Sequence, residues 1–325
     1  HIDGFRFDLM GIHDVETMKA IRKALDAIDP TIYILGEGWT AGKAQLPDSL
    51  LAMKKNVYQM PGVAAFSDEF RDGLRGPFGD DAKGGFIVGR PHFEADVRYG
   101  IVGGISHPQL TGDSIASSVA VWANSPMQFI SYVSCHDDLC LFDRFQKTVP
   151  GASVKELYAW QKLAETAVLT SQGVPFIYSG DEILRSKFGV ANSYNSGDSI
   201  NAINWGLKTI HREVFDYIRG LIAMRKAHPA FRLGSPDLIR KHLEFIHVPA
   251  TNVVAFRLKG KPCGDSWLNT IVVLNARTEP IKVDIPDGKY WIACRDGKID
   301  LVLGLGTLQG NQTVVAPMSA MIIHQ

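Results

Sequence analysis

The sequence predicts an α/β region of parallel βα units followed by an all-β antiparallel sandwich. Up to about residue 235, short β-rich runs alternate with amphipathic stretches of helical spacing. Beyond Pro236 the texture changes to short alternating strands separated by Gly, Pro, Asp and Asn. Of the 325 residues, 46% are hydrophobic, enough to bury one large domain, 1–235, and a smaller one, 236–325.

The first unit opens with GFRFDLMG at 4–11, which reads as a strand. Val15, Met18, Ile21, Leu25 and Ile28 then recur at helical spacing, and Pro30 closes that helix before the strand in TIYILGEGW. A strand at 63–66 precedes the helical run EFRDGLRG. QFISYVSCHD at 128–137 supplies a fourth strand, VKELYAWQKLAETAVLTSQ at 154–172 a helix, and VPFIYSGDE at 174–182 a fifth strand. A last helix runs from about His211 to His228. Residues 76–124, Gly-rich and weakly periodic, are expected to form an extended surface insertion near the site. Five parallel strands are too few for a closed eight-stranded barrel. In the second part HLEFIHV, NVVAFRLKG, NTIVVLNA, IKVDIP, KYWIACRDG and TVVAPMSAMIIHQ read as separate strands.

Lys plus Arg equals Asp plus Glu at 34 each, so there is no basic field for a nucleic-acid backbone or anionic lipid; neither nucleic acid nor membrane is an expected partner. No apolar stretch approaches the roughly 20 residues of a spanning helix. Cys135, Cys140, Cys263 and Cys294 contain no CxxC pair and are expected to be free thiols. The sequence opens on HIDGFRFD without a Met, so the compartment, whether cytoplasmic, periplasmic or secreted, is not read from it.

Side chains alternate along a strand, so Phe5 and Phe7 share one face while Arg6 and Asp8 share the other. A guanidinium beside a carboxylate favours the charged form, which suits Asp8 to attack as a nucleophile; a strand-capping ion pair is the alternative. Glu37 ends the next strand between Gly36 and Gly38, which are expected to leave room for a ligand, and Trp39 follows. A carboxyl among apolar neighbours is desolvated and can hold a proton for delivery to a leaving oxygen, unless it is a solvated turn residue. Trp39 could stack on a sugar or fill the core. His136, Asp137 and Asp138 end the fourth strand. Their consecutive carboxylates are expected to repel unless a ligand, cation or donor offsets the cost, so Asp138→Asn is expected to be tolerated. A metal site on these three residues is the competing reading. Polar loops then follow the fifth strand in GDEILRSK and NSYNSGDSINAINW, a usual place for binding residues.

Taken in order, these segments resemble glycoside hydrolase family thirteen, the α-amylase superfamily: GFRFDLMG is similar to its second conserved region, ILGEGW to its third and YVSCHDD to its fourth. The GEGW form and GDEILRSK…NSYNSGDSIN resemble type I pullulanases in particular, over nearly the whole chain. The resemblance implies strands four to eight of a TIM (β/α)8 barrel followed by a sandwich. It implies a retaining hydrolase of α-1,6 branch linkages in pullulan, amylopectin or branched maltodextrin. Asp8 would be nucleophile, Glu37 acid/base and Asp137 the third carboxylate. Arg6 and His136 would line the subsite of the attacked ring, Trp39 would stack at the leaving-group side, and Asp138, Asn192, Tyr194 and Asp198 would contact substrate. No cofactor is required on this resemblance, and a Ca2+ ion is left open. Asp138 stands where such enzymes commonly have Asn, and Ala202 where an Arg is frequent. The family's first conserved region would lie upstream of residue 1, so the N-terminal part of the same enzyme is an expected partner. Isoamylase, glycogen-debranching or α-1,4-acting hydrolysis share this chemistry. A non-catalytic glycan-binding protein would have little reason to keep all three carboxylates, and a nucleotide-dependent enzyme would need a Gly-rich phosphate loop that is lacking.

Overall fold

The computed structural model describes residues 2–110, 115 and 121–325. Five short strands, β1 (Gly4–Phe7), β2 (Tyr33–Gly36), β3 (Val63–Phe66), β4 (Phe129–Ser131) and β5 (Val174–Pro175), pair in parallel in chain order. Gly4 lies opposite Tyr33, Ile34 opposite Val63, Ala65 opposite Phe129 and Ile130 opposite Val174.

Parallel pairing needs a crossover between strands, and the helices supply it. Helix α1 (Val15–Asp26) links β1 to β2 and starts where the Asp14 carboxylate accepts the Thr17 N–H. Val15 and Met18 are buried and Ile21 and Leu25 pack against the core, as their spacing predicts. Ile28 lies past the helix end and is 78% exposed, so it is not part of that stripe. Helix α2 (Asp68–Arg75) follows β3, and α3 (Glu94–Ile101) lies against it. After β4 come α4 (Leu141–Thr148) and α5 (Val154–Thr170), the latter opened by a Ser153/Glu156 capping box. Two single-turn helices, α6 (Asp198–Asn201) and α7 (Leu207–Ile210), then lead to α8 (Arg212–Ala227), which packs on α5. A short α9 (Pro236–His242) precedes the second sheet.

The stretch 76–124 departs from its expected role as a surface insertion. Phe86, Ile87, Val97, Tyr99, Ile101 and Trp122 are all buried, and Trp122 stacks on Phe129 of β4 at 5.3 Å. Its weak periodicity has a physical cause: α3 meets α2 through glycine, since a Cβ on Gly100 would stand 1.9 Å from the Phe70 ring. Close approach there is made by small residues, which leave no apolar stripe to read. Part of this stretch, 111–114 and 116–120, lies outside the described residues.

The second sheet is antiparallel. Its strands are β6 (Leu243–Ile246), β7 (Val253–Lys259), β8 (Asn269–Asn275), β9 (Ile281–Arg295), β10 (Lys298–Ile299), β11 (Thr307–Val315) and β12 (Ser319–His324), in the order β10-β9-β12-β8-β7-β6 with β11 on β9. IKVDIP and KYWIACRDG, read separately from sequence, are one 15-residue strand. Its first half pairs only with β11 while its second half also pairs with β12. The sheet stays open in its pairing, but the β9–β11 ribbon packs with the rest, placing Val283, Ile285 and Val315 in one buried cluster with Ala255, Val273 and Met321. A larger apolar core joins the two sheets through α5 and α8, running from Met10 and Val63 through Leu163 and Leu221 to Phe256 and Ile322. All four cysteines are free. Among the described residues no helix is long and apolar enough to cross a membrane.

Candidate active site

The C-terminal ends of β1 to β4 surround a cleft of about 500 Å³, lined by Arg6, Glu37, Trp39, Tyr132, His136, Asp137 and Asn192 among others. In parallel sheets flanked by helices this end is where loops converge on ligands.

Arg6 organises the first corner. One guanidinium nitrogen donates to Asp8 Oδ1 at 2.6 Å and the other to Glu37 Oε1 at 2.7 Å. The alternation along β1 thus brings Arg6 and Asp8 together as the sequence predicts. Asp8 stands at the rim with its side chain 74% exposed.

Glu37 is enclosed. Its residue is 5% exposed, and the chain after β1 wraps around it: Leu9, in the left-handed region at φ 42°, turns its N–H to Glu37 Oε2 at 2.8 Å, while the Gly11 N–H takes the Glu37 carbonyl at 3.0 Å. Burial raises the Glu37 pKa; the Leu9 N–H and Arg6 pull it down, and the carboxylates of Asp8 and Asp137 push it up. The net shift is upward, as the apolar surroundings predict. Gly36 and Gly38 do not make space for a ligand, however. A Cβ at Gly36 would stand 2.6 Å from Met10 Cβ, and one at Gly38 2.6 Å from the Lys54 backbone nitrogen. The glycines admit neighbouring chain, and that packing is what closes the pocket around Glu37. Trp39 lines the cleft and is partly buried against Phe66 and Tyr132.

The segment after β4 splits its two carboxylates. Asp137 is 57% exposed at the cleft, with His136 Nε2 3.5 Å from its Oδ2. Asp138 lines the cleft, but its carboxylate turns inward and accepts from Arg75 at 2.6 Å. The expected repulsion between neighbours is therefore relieved within the chain by a buried guanidinium, which holds Oδ2 of Asp138. Asn192 lines the cleft, whereas Tyr194 is 80% exposed and, with Asp198 at the start of α6, lies outside that lining. Ala202, just past α6, is exposed.

Several cleft residues escape sequence reasoning. Asp68, Arg71 and Arg75 of α2 form much of one wall. Arg71 donates to Asp72 at 2.7 Å and to the Tyr132 hydroxyl at 2.8 Å, and Lys54 bridges Asp68 and Glu69 at 3.1 and 2.8 Å. The available signal was the spacing of Arg71 and Arg75, one turn apart in a helix that follows a strand end. Lys187, at the end of GDEILRSK, is fully buried and donates to the carbonyls of His136, Asp138 and Ala191 at 3.0, 2.7 and 3.3 Å. It ties the segment carrying Asp137 to the loop carrying Asn192. Behind β4, Ser134 donates to Asp181; burial pushes the Asp181 carboxyl up to about 7, and burial likewise raises that of Glu165 beside it.

Comparison finds similar proteins along the chain. Residues 239–298 match the family described as pullulanase, all-beta domain. The pullulanase of Bacillus subtilis (strain 168) is 36% identical over 295 residues, 90% of this chain and 40% of that protein. A pullulanase from Bacillus acidopullulyticus superposes with a TM-score of 0.92 at 35% identity, covering 100% of this chain and 38% of that one. A pullulanase from Paenibacillus barengoltzii, solved with maltohexaose and alpha-cyclodextrin, gives 0.88 at 39% identity, covering 100% of this chain and 48% of that one. The chain therefore spans less than half the length of the relatives it matches.

Proposed function

The chain belongs to the type I pullulanase family, and on that premise we propose that it carries the catalytic carboxylates of a debranching glycoside hydrolase acting on α-1,6 linkages of pullulan, amylopectin or branched maltodextrins. The observation that carries this reading is the difference between two carboxyls joined by one arginine: Glu37 is enclosed and shifted toward the protonated form, while Asp8 is open to solvent. Two acids in unlike surroundings take unlike roles.

Glu37, protonated, would donate to the glycosidic oxygen as Asp8 attacks the anomeric carbon, giving a covalent glycosyl-enzyme with release of the leaving sugar. Water that gives its proton to Glu37 would then attack the same carbon and free Asp8, with net retention. Asp137 would stabilise the positive charge that develops on the ring, His136 and Arg6 would hold that ring, and Trp39 would stack on the leaving side. The five parallel strands would be strands four to eight of a (β/α)8 barrel over residues 1–235, followed by a β-sandwich domain over 236–325. The N-terminal part of the same enzyme would pair with the outer edge of β1, which among the described residues has no strand partner.

The test is hydrolysis of pullulan by the intact polypeptide carrying this chain, with product anomers followed by NMR. Asp8→Asn and Glu37→Gln should each remove turnover by at least about a thousandfold. Near-native turnover in either variant, or products of inverted configuration, would overturn the assignment. An amylose control separates α-1,6 from α-1,4 cleavage.

A further inference from the structure

We propose that Cys135, His136 and Asp137 together form a binding site for a soft divalent cation, best fitted by Zn2+, whose occupation blocks the cleft. The thiol, an imidazole nitrogen and a carboxylate oxygen of these consecutive residues all lie within 4.8 Å of one another. Ligands of a tetrahedral zinc ion, at about 2.0 to 2.3 Å from the metal, stand roughly 3.5 Å apart. His136 Nε2 and Asp137 Oδ2 already have that separation, 3.5 Å. Bringing in the sulfur takes about another ångström of side-chain rotation, and both the His136 and the Asp137 side chains are more than half exposed and free to make it.

The donor set selects the metal. A thiolate with an imidazole suits zinc and other soft ions and disfavours Ca2+ or Mg2+, which take oxygen ligands. Asp138, the remaining acid of the segment, stands outside this group, with its Oδ2 held by Arg75. Three protein ligands leave a fourth position for water, the pattern of an open zinc site, and binding displaces the thiol proton to solvent. Arg75 and Lys187 put two fixed positive charges behind the same segment, which weakens any cation site there. Micromolar rather than nanomolar affinity is therefore expected. The blocking effect rests on the catalytic reading above, since a metal on His136 and Asp137 would occupy the two groups assigned to the attacked ring. The binding itself does not rest on it.

Two measurements on the intact polypeptide, reduced and free of chelator, keep these parts distinct. Titration with Co2+ should give a near-ultraviolet thiolate-to-cobalt charge-transfer band saturating at one ion per chain. The band should vanish in Cys135→Ser, weaken in His136→Gln and persist in Cys263→Ser, which removes the other partly exposed thiol. In parallel, ZnCl2 should inhibit pullulan hydrolysis in competition with substrate. Cys135→Ser, each variant being compared with its own metal-free rate, should raise the half-inhibiting Zn2+ concentration at least about tenfold. Absence of the band, or its persistence in Cys135→Ser, would overturn the site. A normal band with Zn2+-insensitive hydrolysis would overturn the blocking role and count against the placement of Asp137 in catalysis.

Discussion

From sequence alone, replacing Asp138 by Asn is expected to relieve a repulsion with Asp137 and to be tolerated. The structure supplies an argument to the contrary for stability. Arg75 is 1% exposed, its shortest hydrogen bond goes to Asp138 at 2.6 Å, and its other contact, to the Leu139 carbonyl, is long at 3.5 Å. Removing one member of a buried ion pair costs about 3 to 5 kcal/mol. Asn keeps a carbonyl oxygen for Arg75 and so loses only the charge. A hydrogen bond to a charged group is worth about 1.5 to 3 kcal/mol and a neutral one about 0.5 to 1.5, so the loss for Asp138→Asn comes to about 1 to 1.5 kcal/mol. Asp138 also sits at φ 65°, a region that Asn tolerates and Ala does not, which adds about 1 to 2 kcal/mol for Asp138→Ala. Urea unfolding of the two variants at constant m-value should rank them wild type, Asn, Ala. The Asn variant should show no rescue by added salt, because a buried pair is little screened. An Asn variant within about 0.5 kcal/mol of wild type would refute the Arg75 argument.

Arg6→Ala should lower turnover and move the alkaline limb of the pH–rate profile upward. The lost guanidinium leaves burial and the carboxylates of Asp8 and Asp137 to raise Glu37 further, and an unmoved limb would count against Arg6 acting on Glu37. For Asp181, whose carboxyl is raised from an ordinary 3.8 to about 7, stability is fully present below the unfolded value and lost as pH rises toward 7. Asp181→Asn should accordingly raise the melting temperature at pH 8 and change it little at pH 4, with an oxygen kept for Ser134; calorimetry at the two pH values decides it. Lys187→Met should slow hydrolysis more than it alters unfolding, because three carbonyls on the Asp137 and Asn192 segments lose their shared donor; equal losses in both would make Lys187 merely structural.

What was legible in the sequence was whatever a fixed period or a local composition encodes. Two-residue alternation puts Arg6 beside Asp8, and apolar flanks mark Glu37 as desolvated. Contacts between distant segments are another matter. The ion pair of Arg75 with Asp138 joins residues 63 apart, and the Lys187 clamp reaches 51 residues back to His136. Neither distance leaves a trace in local pattern, so a charged helix such as α2 reads as a solvated face although every residue from Glu69 to Arg75 is buried. The glycines around Glu37 are ambiguous for the same reason: a missing Cβ signals close approach, and sequence does not say whether a ligand or the chain itself approaches.

The contrast between Glu37 and Asp8 also divides what is intrinsic to this chain from what an added segment would change. Burial by the chain around it raises Glu37 most, and the groups that act on it beside burial, namely the Leu9 N–H, Arg6, Asp8 and Asp137, lie within residues 6–137. Its upward shift should therefore persist whatever pairs with the outer edge of β1. Asp8 differs, because among the described residues its side chain pairs with Arg6 and stands 74% exposed at the end of the edge strand β1. Polypeptide covering the rim would desolvate Asp8 and strengthen its pairing with Arg6, drawing the guanidinium away from Glu37 and leaving Glu37 more readily protonated. Cover over the rim would then act on Asp8 directly and on Glu37 through both Arg6 and the Asp8 carboxylate.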